Sequence, residues 1–272
     1  MKIEINNLSF SYKKLGRLID HVDFTADSGD VVALIGHNGC GKTTFLKLIC
    51  GFLFPDEGSV NIIGNHSDPV FSGILESPKF MNFMTGYENI KYYMAEYFDE
   101  KRVKSAFEEW GLEKAMNDNV SSYSLGMRKK LALLLAFETD SKIVVLDEPV
   151  SALDSESVKI FYSNVRKNAE TGKIIIMTTH ILYELERFCN RIYSFENGKL
   201  IESSLSADGV KYYILEFANE YQASQAAGEL DKDEVCFVNG KEVIVSDVHR
   251  SISELLRSVM AFDLITVVRK ES

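Results

Sequence analysis

The sequence predicts an α/β fold built on a mainly parallel sheet, and three observations carry that expectation. Three short runs, Val31-Val32-Ala33-Leu34-Ile35, Ile143-Val144-Val145-Leu146 and Ile174-Ile175-Ile176-Met177, are apolar throughout rather than alternating. Strands covered on both faces read this way. A helical segment, Ser155 to Ala169, separates the last two runs, so strand and helix alternate. The stretch from Thr85 to Phe137 carries helical spacing and interrupts that alternation as an insertion.

Along the chain, residues 2–10 set Ile3, Ile5, Leu8 and Phe10 against Lys2, Glu4, Asn6 and Ser9, which is a half-buried strand with a turn at Asn6-Asn7. Lys13 to Asp20 is polar around Gly16 and reads as a hairpin or loop, with Val22 and Phe24 in a second strand. Ser28-Gly29-Asp30 turns the chain into the first apolar run. Phe45 to Cys50 reads as a buried helix that stops at Gly51. A turn at Pro55-Asp56-Glu57-Gly58 leads to a strand over Ser59–Ile63, closed by Gly64-Asn65. In the insertion, 89–98, 101–110 and 129–137 read as helices. Tyr92, Ala95 and Glu96 follow helical spacing, as do Val103, Ala106, Phe107 and Trp110.

Ser203-Ser204-Leu205-Ser206 reads as a linker, which divides the chain into domains at 1–203 and 207–272, with a helical subdomain at about 78–140. The tail has the order strand 212–217, helix 221–230, strand 234–238, strand 242–246, helix 251–260, strand 264–268. Asn239-Gly240 between two alternating runs is a hairpin signal. The order β-α-β-β-α-β is that of a small ferredoxin-like α+β unit. The apolar helix face of Ile252, Leu255, Leu256 and Val259 reads as its core.

Composition narrows the function. Hydrophobic residues make up 46% of the 272 residues, ample for a core. The net charge of −10 argues against general nucleic-acid binding, which wants a basic surface. No apolar run approaches the roughly 20 residues needed to cross a bilayer. The start, Met1-Lys2-Ile3-Glu4-Ile5, lacks a secretory apolar core, so a cytosolic chain is expected. Cys40, Cys50, Cys189 and Cys236 form no C-x-x-C pair, which suggests neither zinc nor a disulfide framework.

The chemistry concentrates in Gly36-His37-Asn38-Gly39-Cys40-Gly41-Lys42-Thr43-Thr44, directly after the first apolar run. Strand, glycine-rich loop, Lys-Thr and helix together make the phosphate-binding loop of nucleoside triphosphatases. Glycines let backbone N–H groups close around an anion, and the helix N-terminus adds partial positive charge. Lys42 is expected to reach the β- and γ-phosphates, and the Thr43 hydroxyl to ligate Mg²⁺. Cys40 lies beside the same N–H donors, which favour a thiolate, so thiol reagents are expected to inactivate the protein and nucleotide to protect it. Further on, Ile143-Val144-Val145-Leu146-Asp147-Glu148-Pro149 is an apolar strand ending in two carboxylates. One can hold Mg²⁺ and the other polarise an attacking water.

These motifs, taken with Tyr123-Ser124-Leu125-Gly126-Met127 upstream of the Asp-Glu pair, resemble the nucleotide-binding subunit of an ATP-binding-cassette (ABC) transporter over residues 1 to about 203. The fold implied is an ABC-type P-loop NTPase with a helical insertion and N-terminal antiparallel strands. Gly73-Ile74-Leu75-Glu76-Ser77-Pro78-Lys79-Phe80, then Met84-Thr85-Gly86-Tyr87-Glu88-Asn89-Ile90, is similar to exporters of the bacitracin-resistance and lantibiotic-immunity type.

The resemblance implies roles. ATP phosphates are held by Gly36, Asn38, Gly39, Cys40, Gly41, Lys42, Thr43 and Thr44, and Tyr12 stacks on adenine. Thr43, Glu76 and Asp147 hold Mg²⁺. Glu148 is the general base, with His180, Glu76 and Lys42 completing the catalytic set. Ser124 and Gly126 face the γ-phosphate of ATP held by a second copy, and Ser151-Ala152-Leu153-Asp154 crosses the dimer interface, with Asp154 joining the nucleotide-binding set. Glu76 stands where the family usually has Gln, and Leu125 and Met127 depart from the family signature. The resemblance further implies an ATPase that forms a homodimer with ATP and drives a membrane-embedded permease. Its place would be cytoplasmic, peripheral on the inner face of the cell membrane, with no nucleic acid bound. A second reading is a soluble ABC-type regulatory ATPase acting on a nucleic-acid or ribosomal complex. A third makes the tail a ligand-sensing module.

Overall fold

The computed structural model describes residues 1–13, 16–37, 39–64, 70–75, 79–179, 188–203, 212–230, 235–239, 241–246 and 251–269. They fall into two compact units, one over 1–179 with 188–203 and the other from 212 onwards.

The first unit opens with an antiparallel sheet of β1 (Lys2–Tyr12), β2 (Gly16–Asp27) and β4 (Glu57–Ile63), in the order β2-β1-β4. Ile3 sits opposite Ala26 on one side and Ile62 on the other, so the inward side chains of all three strands coincide. The turn expected at Asn6-Asn7 is instead a bulge inside a continuous strand. Asn7 has φ 51°, and the register with β4 shifts between Asn6 and Ser9. Gly58 permits this, because a Cβ there would lie 2.3 Å from the Asn7 carbonyl oxygen. The loop expected over Lys13 to Asp20 is likewise shorter, since β2 begins at Gly16. Among the described residues β1 is the strand that pairs with β2, and polar residues such as Arg17 and His21 suit such an edge.

The main sheet has the order β5-β6-β7-β3-β8-β9. Its strands are β3 (Val31–Ile35), β5 (Phe71–Ile74), β6 (Ile143–Leu146), β7 (Ile174–Thr178), β8 (Arg191–Glu196) and β9 (Lys199–Ser203). The first five are parallel and β9 returns antiparallel to β8. Ser203 lies in β9, so the chain is still in the sheet where the linker was expected to open, and Ser204-Leu205-Ser206 lies outside the described residues.

Helix α1 (Lys42–Ile49) follows β3 and starts three residues earlier than the apolar spacing indicates. Its Phe45, Leu46, Leu48 and Ile49 are buried, and Phe45 packs edge-on against Phe24 and Phe195 at 5.6 and 5.5 Å. Such contacts anchor the helix, and with it the loop at its N-terminus, between the two sheets.

The inserted segment holds α2 (Gly86–Met94), α3 (Glu100–Glu109) and α4 (Leu125–Glu138). α2 begins before the expected Asn89, because Thr85 and Glu88 form a reciprocal capping box, and it ends at Ala95, where φ is 49°. Trp110, after α3, stacks on Phe137 of α4 at 6.5 Å. α5 (Ser155–Glu170) then joins β6 to β7. No helix of the described residues is long and apolar enough to cross a membrane.

The second unit holds β10 (Tyr212–Phe217), α6 (Glu220–Gly228), β11 (Val235–Asn239), β12 (Glu242–Ser246), α7 (Ile252–Val259) and β13 (Leu264–Arg269). Its strand order is β11-β12-β10-β13, antiparallel at every pairing, which is the ferredoxin-like arrangement. Leu255 and Val259 are fully buried against Leu215, Phe217, Val243 and Val245, while Ile252 and Leu256 pack at the margin. That helix face is core. Gly240, of the expected hairpin turn, lies outside the described residues.

Candidate active site

The loop between β3 and α1 bends through three glycines with positive φ, 141° at Gly36, 83° at Gly39 and 122° at Gly41. Gly36 has no room for a side chain, since a Cβ would sit 2.9 Å from Cys40 Sγ and 3.0 Å from the Phe195 carbonyl. Gly41 caps α1 and supplies no side-chain acceptor, and the first turn holds no acidic residue. The leading N–H groups of α1 therefore keep their capacity for an anion, backed by the helix dipole. Lys42 is 7% exposed and its Nζ donates to the carbonyls of Gly36 at 2.5 Å and His37 at 3.1 Å. The ammonium thus curls back over its own loop. Thr44 is buried, and its hydroxyl lies 3.4 Å from the hydroxyl of Tyr12. Tyr12 in turn meets Phe10 edge-on at 4.9 Å.

Cys40 departs from expectation. It is 6% exposed and belongs to the core beneath the loop. Its sulfur lies 3.9 Å from Lys42 Nζ. Burial keeps reagents from the thiol, so the accessible nucleophile read from the sequence is not what the packing provides.

The two carboxylates close the site from β6. Asp147 uses both oxygens: Oδ2 accepts from Thr43 Oγ1 at 2.7 Å and Oδ1 from Thr178 Oγ1 at 2.5 Å. Its N–H donates to the Ile74 carbonyl at 2.6 Å. The ends of β5, β6 and β7 and the first turn of α1 therefore meet at one aspartate. Glu148 has φ 45°, in the left-handed region. Its N–H donates to Thr178 Oγ1 at 2.8 Å, and its carbonyl accepts from Ser151 Oγ at 2.8 Å and Lys129 Nζ at 3.0 Å. Burial pushes the Lys129 ammonium below its usual pKa range, against the opposing pull of the Asp147 and Glu148 carboxylates.

Sequence reasoning missed Thr178 and Lys129. The available signals were a hydroxyl at the end of an otherwise apolar strand, and a cation just ahead of a buried helical run.

A second group forms around the start of α4. Ser124 caps that helix, accepting from Met127 N–H at 3.2 Å, and Leu125 beside it is 70% exposed. Gly126 lies so close to the next loop that a Cβ would stand 3.3 Å from the Ala152 carbonyl. Asp154 caps α5 through Ser157 N–H at 2.8 Å and Ser157 Oγ at 2.7 Å, and Lys130 Nζ lies 3.4 Å from its Oδ2. The bonds from Ser157 hold the Asp154 carboxyl down at about 2.

The structure thus joins Thr43 to Asp147 and, through Thr178, to the backbone of Glu148, with Tyr12 against Thr44 and Lys42 folded onto the loop carbonyls. It places Ser124, Gly126 and Asp154 in a second group. Lys129 joins the two. Asn38, Glu76 and His180 lie outside the described residues.

The ABC transporter family model matches residues 19–151. An uncharacterized ABC transporter ATP-binding protein of Bacillus subtilis, YdbJ, is 30% identical over 93% of this chain and 86% of its own length. The chain belongs to the ABC transporter ATP-binding proteins.

As an ABC ATP-binding protein it is an ATPase subunit, and the phosphate loop and the Asp-Glu pair fall in or at the edge of the matched span. The bacitracin transport ATP-binding protein BcrA of Enterococcus faecalis is 30% identical over 74% of this chain and 68% of that protein. A solved structure of the ATP-binding subunit of an ABC transporter superposes with a TM-score of 0.68 at 27% identity, covering 75% of this chain and 90% of the other.

Proposed function

We propose that this ABC ATPase works as a homodimer that closes on two ATP molecules and drives export through a separate membrane-embedded permease, on the inner face of the cell membrane. The observation that carries the reading is the junction at Asp147, where Thr43 of the phosphate loop, Thr178 and the backbone of Glu148 meet through hydrogen bonds of 2.5 to 2.8 Å. Similarity to the bacitracin transport protein supports transport, and similarity to a Nod factor export ATP-binding protein of Burkholderia lata, 31% identical over 72% of this chain and 71% of that protein, supports export.

In this reading the loop N–H groups and Lys42 hold the phosphates, and the ring of Tyr12 receives adenine. The Thr43 hydroxyl and the Asp147 carboxylate form an all-oxygen donor set, which fits Mg²⁺, with Glu76 as the further ligand that the family resemblance implies. Bound Mg²⁺ would supply charge neutralisation on the phosphate oxygens. Glu148 takes the proton of the attacking water, and His180 contacts the γ-phosphate. Ser124 and Gly126 present a capped helix start and small surface to the ATP of the second copy. Energy passes to the permease through a cavity of about 730 Å³ beside the end of β5, lined by Lys47, Phe52, Leu75, Lys79 and Phe80 among others. Phe83, 79% exposed, adds apolar surface in the same segment. The groove suits a short apolar helix from the permease.

The test is Mg²⁺-dependent ATP hydrolysis by the purified chain against protein concentration, beside Glu148→Gln. A dimerising ATPase gives activity that climbs faster than linearly and is lost in the variant, which then accumulates as an ATP-bound dimer. Normal turnover by Glu148→Gln would remove Glu148 from the base role.

A further inference from the structure

The N-terminal half of α4 grips the loop that carries the proposed base at three points. Gly126 lies against the Ala152 carbonyl, Lys129 Nζ donates to the Glu148 carbonyl at 3.0 Å, and Lys130 Nζ stands 3.4 Å from Asp154 Oδ2. The middle contact is the unusual one. A half-buried ammonium is costly unless polar groups surround it. Here its hydrogen bond goes to a backbone oxygen, with the Asp147 and Glu148 carboxylates near enough to attract it, and that oxygen belongs to a residue in the left-handed conformation, φ 45°. Glu148 is thus fixed from both ends of its own backbone, with its N–H on Thr178 Oγ1 and its carbonyl on Lys129 and Ser151.

We propose that Lys129 is a positioning residue that ties the helix headed by Ser124 to Glu148 of the same chain. The inference rests on the roles proposed above. Ser124 and Gly126 meet the ATP of one site in the dimer, whereas Glu148 serves the other. A shift of α4 on engaging ATP through its first turn moves Lys129, and Lys129 moves the carbonyl that sets the direction of the Glu148 side chain. The two ATP sites are thereby linked through a single helix, five residues from cap to ammonium. The bond needs a donor at the end of a flexible chain, which Gln also supplies, whereas Met keeps the stem and loses the donor.

Steady-state ATPase of the full chain tests this in Lys129→Met and Lys129→Gln, with the unsubstituted protein and Glu148→Gln alongside. The expected result is a fall in kcat of about tenfold for Lys129→Met with KM for ATP within about twofold, since misdirecting a catalytic group acts on turnover rather than on binding. Lys129→Gln recovers most of that loss. In a Glu148→Gln background, Lys129→Met leaves the ATP concentration needed to form the dimer unchanged, which a general folding or interface defect would not. An unimpaired Lys129→Met, equal losses in Met and Gln, or a weakened ATP-bound dimer would each overturn the assignment. If Glu148→Gln itself turns over normally, the base role falls and this proposal with it. If Glu148→Gln is arrested while Lys129→Met is unimpaired, the proposal alone falls.

Discussion

Thr178 Oγ1 donates to Asp147 Oδ1 at 2.5 Å and, through the same oxygen, accepts the N–H of Glu148 at 2.8 Å. One hydroxyl at the end of β7 therefore orients both acidic residues at the end of β6. Thr178→Val keeps the shape and removes both bonds. It is expected to lower kcat by about tenfold or more and stability by about 1 kcal/mol, because the buried Thr178 hydroxyl is lost and the half-buried Glu148 N–H is left without this acceptor. Thr178→Ser retains the hydroxyl and stays near the wild type. ATPase assays and urea unfolding of the two variants check this.

Tyr12 offers a ring beside Thr44, and its hydroxyl makes only a long 3.4 Å contact there. The ring, not the hydroxyl, is the expected source of affinity. Tyr12→Phe should bind ATP within about threefold of the wild type, and Tyr12→Ala about tenfold or more weaker, the scale of one stacked base. Titration with a fluorescent ATP analogue distinguishes the two.

Cys40 lies inside the core under the phosphate loop, and Cys189 is 4% exposed with its thiol pushed up to about 12 by burial. Brief treatment of the folded protein with a thiol reagent should leave both unlabelled in a peptide map, and ATP should make little difference. Labelling of Cys40 that ATP prevents would restore the view of an exposed thiolate facing the nucleotide.

Lys173 closes the carboxyl end of α4, donating to the carbonyls of Phe137 at 2.9 Å and Thr139 at 2.7 Å. Burial lowers its pKa from 10.5 to about 8, with Glu138 and Asp140 pulling the other way. Between those values the unfolded chain holds the proton and the folded chain releases it. Native stability therefore gains from this residue as pH rises through that window, and below about 8 both states are protonated and the contribution is flat. Urea midpoints of the wild type and Lys173→Met at about pH 7 and about pH 10 should differ more in favour of the wild type at the higher pH.

Much of this architecture was legible because some residues act locally. Val31–Ile35, Ile143–Leu146 and Ile174–Thr178 are buried on both faces, so their hydrophobicity is continuous and the strands read directly. β5 and β8 escaped notice because Ser72, Gly73, Arg191 and Ser194 break the apolar run, and their pairing with β6 and β3 is what makes them strands. The capping box of Thr85 and Glu88 was present in the sequence and marks the start of α2 better than apolar spacing does. In the site, Thr43 and Asp147 were found through motifs. Thr178 and Lys129 act across the fold on Asp147 and Glu148, and no local pattern records such a partnership. The burial of Cys40 is not legible either, because the sequence places it in the loop but not on a side of it.

The position of β3 has a consequence for how the protein is made. Among the described residues, its neighbours are β7 and β8, so that Val31 meets Ile175 and Val32 meets Arg191. A growing chain has no partner for β3 until its later part has left the ribosome. Until then the strand that leads into the phosphate loop is an unpaired apolar segment, in need of shielding from other chains. Both β7 and β8 must be made before a nucleotide can find its loop braced, and a product that stops short of them lacks that brace.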